Sequence, residues 1–135
     1  MPEFLSAEWI DALDAAAREA VLPDAASDVA LTVEQVVRDA PRGEVRYHLR
    51  LQDGRARVQR GPAETPDLRL YAEYDVAVRI QRGEVNAQDA LATGGLKVQG
   101  RLERLLHAND ALQALEDRLA PVRATTTYPD SPSSP

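Results

Sequence analysis

The 135-residue sequence contains no cysteine, which excludes disulfide bonds, thiol nucleophiles and cysteine-ligated zinc. Its two histidines, His48 and His107, lie far apart, and no His, Asp or Ser has the spacing of a metal site or a catalytic triad. Aromatic residues make up only 4% of the chain, which argues against a stacking surface for bases or sugars. The sequence therefore favours a non-catalytic protein that uses no metal and no cofactor.

The sequence also lacks the long apolar run of a membrane span, which needs about 18 residues. Its first residues are acidic and unlike a signal peptide. A formal net charge of −6 argues against nucleic-acid binding. We therefore expect a cytoplasmic protein with one domain at residues 1–120. Proline, serine and threonine after residue 120 predict a disordered tail at 121–135, so that removing residues 125–135 should leave the melting temperature unchanged.

Periodicity along the chain predicts the element order α-β-β-β-β-α-α-β-α. A first helix is expected from its cap at Ser6 to Leu22, and a final helix with a leucine stripe is expected to end at Pro121. Asp75 and Asn86 are expected to cap two short helices. Alternating apolar and polar residues predict five strands, which include Leu31, Leu49, Val58, Leu70 and Val98. The predicted class is α+β, a five-stranded and mostly antiparallel sheet with helices covering one face.

The dipeptide Asp53-Gly54 predicts a two-residue hairpin turn that fixes the pairing of the two flanking strands. In that register Arg50 faces Arg57, an unfavourable pair of like charges. Alternation then places five arginines on the polar sheet face: Arg46, Arg50, Arg55, Arg57 and Arg69. Two interpretations stay open. Carboxylates such as Glu34 and Glu44 neutralise these arginines, or the face makes transient contact with an anionic membrane or an acidic partner.

The second half of the chain resembles the sterol-carrier-protein family, whose unit is the type-two sterol carrier, or sterol-transfer, domain. The resemblance rests on these segments: Leu68-Arg69-Leu70, Tyr74-Asp75, Arg82-Gly83-Glu84, Asn86-Ala87, Ala90-Leu91, Gly95-Leu96-Lys97-Val98-Gln99-Gly100, Leu102, Leu105 and Leu106. Together they span about a third of the chain.

This resemblance implies a hydrophobic cavity between the sheet and its helices, in which a fatty-acyl or sterol-like lipid is held without chemistry. The ligand-binding residues expected on that basis are Leu70, Ile80, Leu91, Leu102, Leu105, Leu106, Asn109 and Leu112. In the alternative interpretation these leucines are packed core, and the protein is an interaction or accessory module of a larger assembly without a ligand. An apolar cavity larger than about 300 Å³ would favour the carrier.

Overall fold

Helices and strands follow one another in the predicted order along residues 2–20, 30–41 and 43–128, which the computed structural model describes. The elements are α1 (Ala7–Glu19), β1 (Leu31–Arg38), β2 (Val45–Gln52), β3 (Arg55–Arg60), β4 (Leu68–Glu73), α2 (Tyr74–Gln81), α3 (Ala87–Thr93), β5 (Leu96–Gly100), α4 (Leu102–His107) and α5 (Asn109–Ala124). The five strands lie in the order β3-β2-β1-β4-β5. All neighbouring strands are antiparallel except β1 and β4, which are parallel. The predicted α+β class and element order are confirmed.

Short-range signals in the sequence set the ends of several elements. The Ser6 hydroxyl accepts a hydrogen bond from the Trp9 amide at 3.1 Å, and the Asn86 side chain accepts one from the Asp89 amide at 2.7 Å. Each thereby satisfies a donor at a helix start that has no partner within the helix. Asp75 behaves differently from its predicted capping role, because it lies one residue inside α2 and accepts from the amide of Val76.

The hairpin of β2 and β3 has the predicted register, with Arg50 opposite Arg57 and Leu51 opposite Ala56. Asp53 and Gly54 both adopt positive φ, at 54° and 74°, as a type I′ turn requires. Apolar side chains of the hairpin consequently share one face of the sheet and polar ones the other, except that Arg60 lies opposite Tyr47 on the apolar face.

Residues 102–124 form two helices instead of the single predicted one. α4 ends before Ala108, which is buried in the core, and α5 then continues through Pro121 to Ala124. A proline removes one backbone donor from a helix. Here Leu119 is buried on one side of Pro121 and Val122 packs against the core on the other, so the apolar stripe holds the helix past the proline.

Five aromatic side chains gather on the helix-covered face of the sheet, although aromatic residues are scarce in the chain. The Trp9 ring of α1 lies edge-on to Phe4 at 4.9 Å and to Tyr47 of β2 at 5.5 Å between ring centroids. Phe4 also contacts Tyr74 and Tyr128, at 5.9 Å and 5.6 Å. This cluster joins both ends of the described chain to the sheet.

The segment after α5 is tied down, in contrast to the disordered tail expected from residue 121. Thr127 donates its amide to the carbonyl of Pro2 and accepts from the amide of Phe4, at 2.9 Å and 2.8 Å. The Thr126 hydroxyl accepts from the Trp9 indole at 3.1 Å. Packing with the N-terminal segment, which local composition does not reveal, therefore overrides the polar character of residues 125–128. Residues 129–135 of the expected tail lie outside the described residues.

We therefore expect truncation after Ala124 to lower the melting temperature by about 5–10 °C. It removes these hydrogen bonds, each worth about 0.5–1.5 kcal/mol, and the buried part of the Tyr128 ring. Truncation after Tyr128 keeps every contact named above and serves as the control. Thermal unfolding followed by circular dichroism measures both, and equal melting temperatures for the two truncations would contradict this assignment.

Glu34 is the buried acid of the opposite, outer sheet face, where its side chain has no exposed surface. The connection of residues 61–67 crosses β2 and β1 on this face, because β3 and β4 lie on opposite sides of that pair. One Glu34 oxygen accepts from the Ala63 amide of the connection at 2.9 Å. The other accepts from Arg46 and Arg69, both at 3.2 Å. One carboxylate thus joins β1, β2, β4 and the crossing connection.

Replacing Glu34 by alanine should cost about 2–4 kcal/mol of unfolding free energy, because it leaves a buried amide and the Arg69 guanidinium without an acceptor and takes one of two carboxylates from Arg46. Glu44→Ala is the matched control. Glu44 also pairs with Arg46, at 3.0 Å, but is 44% exposed, so its loss should cost less than about 1 kcal/mol. Urea denaturation compares the two variants, and a similar small loss for both would show that Glu34 is not the organising acid.

Candidate lipid-binding site

One row of side chains on the helix-covered face stays partly uncovered by the helices. Tyr47 of β2, Gln35 of β1, Leu70 of β4 and Val98 of β5 lie side by side in the sheet register. All four are only partly buried. On the same face, the row on each side of this one is buried where it crosses the central strands β1 and β4. Val33 and Leu68 belong to one of these rows, and Val37 and Ala72 belong to the other. This partly exposed row in the middle of a helix-covered sheet is therefore a candidate contact surface for a ligand.

Gln35 is the polar member of this apolar row, and the sequence analysis did not include it. The alternation of apolar and polar residues that predicts this strand covers residues 29–34, whereas β1 runs to Arg38. Extending the alternation of Leu31 and Val33 by one step would have placed Gln35 on the inner face. No hydrogen bond joins its side chain to another described residue, so both its amide donors and its carbonyl acceptor are left for other partners.

Tyr47 adds a hydroxyl group at one end of the row. Burial raises the pKa of Tyr47 above its ordinary value, although the positive charge of Arg123 acts in the opposite direction. The phenol therefore stays protonated and uncharged at neutral pH.

Leu70, Ile80 and Leu91 come together around a second, smaller apolar cluster formed by Ala72, Ala90 and Leu96. Leu70 packs against both this cluster and the main core, so it connects them. Beside the second cluster lies a cleft of about 340 Å³ between α2 and α3, which is lined by Val76, Arg79, Glu84, Val85, Asp89, Ala90, Thr93 and Gly95. Its inner residues are apolar and its outer ones charged.

The other predicted ligand-binding residues are divided between the core and the surface. Leu105 and Leu112 are partly buried and pack against the main core. Leu102 and Leu106, on α4, are 42% and 66% exposed, so their side chains lie at the surface. Asn109 begins α5, and its side chain is outside the described part of the structure. The structure thus brings together Leu70, Ile80 and Leu91 on one side, and Leu105 and Leu112 on the other.

The predicted arginine face is largely neutralised by carboxylates of the chain. Arg46 and Arg69 bind Glu34, and Arg46 also binds Glu44. Arg57 reaches around the sheet edge to Asp14 of α1 at 2.9 Å. These pairs support the interpretation of internal neutralisation for three of the five arginines. Arg50 and Arg55 have no ion pair with a described residue.

Across residues 2–20, 30–41 and 43–128, no group of three histidine or acidic residues is arranged to hold a metal ion. Within the same residues, no helix is both long enough and apolar enough to cross a membrane.

The five-stranded sheet with helices on one face agrees with a family assignment from sequence. The model of the SCP-2 sterol transfer family matches residues 10–113, which is most of the chain. The chain belongs to this family. The resemblance that the segments from Leu68 onward indicated is therefore confirmed, and the match extends it to the first helix. No curated protein matches the chain.

Solved structures of the family share this fold. A conserved hypothetical protein of Thermus thermophilus, named as a candidate sterol carrier protein, is 23% identical with a TM-score of 0.68; the alignment covers 97% of this chain and 95% of that one. A palmitated sterol carrier protein 2-like protein of Aedes aegypti is 21% identical with a TM-score of 0.61, covering 81% and 94%. The UbiJ-SCP2 ubiquinone synthesis protein is 13% identical with a TM-score of 0.57, covering 87% and 95%.

Proposed function

We propose that this sterol carrier protein family member is a non-catalytic lipid carrier that holds a fatty-acyl chain in the groove above the row of Tyr47, Gln35, Leu70 and Val98. The observation that carries the proposal is the partial exposure of this row in the middle of a helix-covered sheet. Family membership supports lipid as the ligand class. The palmitate of the Aedes aegypti relative favours an acyl chain. The cytoplasmic location stays a prediction.

The mechanism is solubilisation by burial. Each methylene removed from water contributes about 0.8 kcal/mol, so a chain of a dozen carbons is held without any covalent step. The acyl chain would enter by the cleft between α2 and α3, pass Ile80 and Leu91, and lie against Leu70. From Leu70 it would continue toward Leu105 and Leu112, because Leu70 packs against both apolar clusters. Among the predicted ligand-binding residues, these five form the apolar wall.

The Gln35 amide is suited to the polar end of the ligand, since its NH₂ group can donate a hydrogen bond to a carboxylate oxygen. Asn109, the polar group predicted for this role, remains a second candidate at the α5 side of the site. Gln35 differs from it in lying on a strand, whose position is fixed by ladder hydrogen bonds on both sides.

The role of this row in lipid binding is tested by placing an indole ring in the space above it. Val98→Trp should weaken binding of a fluorescent fatty acid at least tenfold, because the ring occupies the space of several methylenes. Gln99→Trp is the matched control: the next residue of β5 is exposed and points to the outer face, so this variant should bind as the unaltered protein does. Native mass spectrometry of protein purified from cells should show a co-purifying lipid with Gln99→Trp and none with Val98→Trp.

Thermal unfolding of both variants shows whether the fold is kept. Equal lipid binding by folded Val98→Trp and Gln99→Trp would contradict the proposal that lipid lies in this groove. If Val98→Trp fails to fold, the proposal is judged on the unaltered protein. It would then be contradicted if no lipid co-purifies with that protein.

The head-group role of Gln35 is tested by Gln35→Leu, which keeps the size of the side chain and removes its amide. Hydrogen bonds to charged groups are worth about 1.5–3 kcal/mol and those to neutral groups about half of that. The variant should therefore lose about tenfold in affinity for a fatty acid but only about threefold for its methyl ester. Isothermal titration with both ligands measures this difference, and a uniform change would assign the head group elsewhere.

The alternative, an accessory module, is favoured by one observation: Leu102 and Leu106 expose apolar surface one turn apart on α4. For this function, Leu102→Glu with Leu106→Glu should dissociate a co-purifying protein complex and leave fatty-acid affinity unchanged. A complex that survives the double substitution would remove the support for this alternative.

The predicted contact of the arginine face with an anionic partner is a separate part of the proposal. Because Arg46, Arg57 and Arg69 are paired with carboxylates of the chain, Arg50 and Arg55 are the groups of this face most available to a partner.

A further inference from the structure

A basic cleft opens at the turn end of the β2–β3 hairpin, on the sheet face opposite the lipid groove. Its volume is about 490 Å³, and it is lined by Arg50, Gln52, Asp53, Arg55 and Arg57. The hairpin register places Arg50 directly opposite Arg57 and Gln52 directly opposite Arg55. Three arginines, one glutamine and one aspartate therefore line a single shallow cleft, and the lipid-carrier mechanism uses none of them.

The arginines of this cleft are less neutralised than those farther along the same face. No described carboxylate lies within 4.0 Å of a nitrogen of Arg50 or Arg55. Like charges opposite each other on neighbouring strands destabilise a sheet. Because Asp14 pairs with Arg57, the charges left without a counter-ion in the cleft are those of Arg50 and Arg55, and a bound anion would balance them.

Arg57 is held in place by Asp14 of α1. Its Nε and Nη2 atoms donate to the two Asp14 oxygens at 2.9 Å and 3.1 Å, and the Val58 amide donates to the same carboxylate at 2.9 Å. Burial alone would raise the pKa of Asp14, but these hydrogen bonds and the Arg57 charge outweigh it and lower the pKa. Asp14 thus stays ionised at neutral pH and fixes the Arg57 side chain, while Nη1 makes no hydrogen bond within the described residues.

We propose that this cleft binds the phosphoryl group of a small soluble molecule, with Arg50 and Arg55 as its principal ligands and Arg57 as a fixed third donor. The planar fork of a guanidinium matches two phosphate oxygens at once, which lysine cannot do. A small anion senses the local arginines, whereas an anionic bilayer also meets the net charge of −6 on the whole chain. The proposal deepens the arginine part of the proposed function and is independent of lipid binding.

Asp53 is the acidic residue of the cleft lining. Its replacement should strengthen anion binding, whereas replacement of an arginine should weaken it. It occupies the first turn position with φ 54°, where asparagine is equally suited to the type I′ turn. Asp53→Asn therefore removes a negative charge beside the cleft without altering the hairpin. This variant should bind an anion more tightly than the unaltered protein.

The test is a titration of the full chain with inorganic pyrophosphate, followed by the backbone amide signals of residues 50–57 in NMR spectra. Saturable shifts are expected there. Arg50→Gln and Arg55→Gln should each weaken binding at least fivefold, and Asp53→Asn should strengthen it about threefold. Arg101→Gln is the matched control, because Arg101 is an exposed arginine near the opposite edge of the sheet with the same charge.

Absence of saturable shifts would overturn the proposal, as would equal weakening by Arg101→Gln, which would indicate unspecific attraction. Binding to phosphatidylglycerol vesicles without binding of pyrophosphate would also overturn it, in favour of membrane docking. Val98→Trp should bind pyrophosphate normally, so a failure of the lipid groove and a failure of the anion cleft are distinguishable.

Discussion

The position of the Glu34 carboxylate is the constraint on which the two-faced sheet depends. β3 lies at one edge and β4 on the far side of β1, so the chain must cross the sheet between them. A backbone that lies on a sheet needs partners for its amides, and Glu34 supplies one to Ala63. A carboxylate without exposed surface in turn requires positive partners, which Arg46 and Arg69 provide from the two neighbouring strands. The crossing and its charges are thus one structural unit.

Because the crossing occupies the outer face, the inner face is left to the helices. α1 packs over β3 and its Trp9 ring reaches Tyr47, while α2 and α3 pack over β4 and β5. On the central strands, the helices bury the side chains on either side of the middle row and leave the middle row itself partly exposed. The charged network of the outer face and the apolar side chains of the inner face are therefore separated by the thickness of the sheet.

Much of this fold could be predicted from local signals. Asp53-Gly54 fixes the hairpin register because a type I′ turn admits only one pairing of its strands. The capping side chains of Ser6 and Asn86 each accept a hydrogen bond from an amide only three residues later, so the local sequence is enough to predict them. The site was harder to predict. β1 pairs in parallel with a strand more than thirty residues later, and no turn indicates that pairing or the length of β1, so Gln35 was missed. Likewise, the strand-like contact of Thr127 with Pro2 joins the two ends of the described chain.

The alternation of side chains along a strand predicts which face each arginine occupies, but not whether the arginine is neutralised. All five arginines fall on one face because a two-residue repeat depends only on the strand backbone. Whether each is neutralised depends on tertiary contacts: Asp14 reaches Arg57 from a helix 43 residues earlier, and Glu34 reaches Arg46 and Arg69 from the strand between theirs. Arg50 and Arg55 lie nearer the hairpin turn than Arg46, and Glu34 is opposite His48 instead of either of them. The same turn that fixes the register thus carries two positive charges to an end of the sheet where no described carboxylate pairs with them.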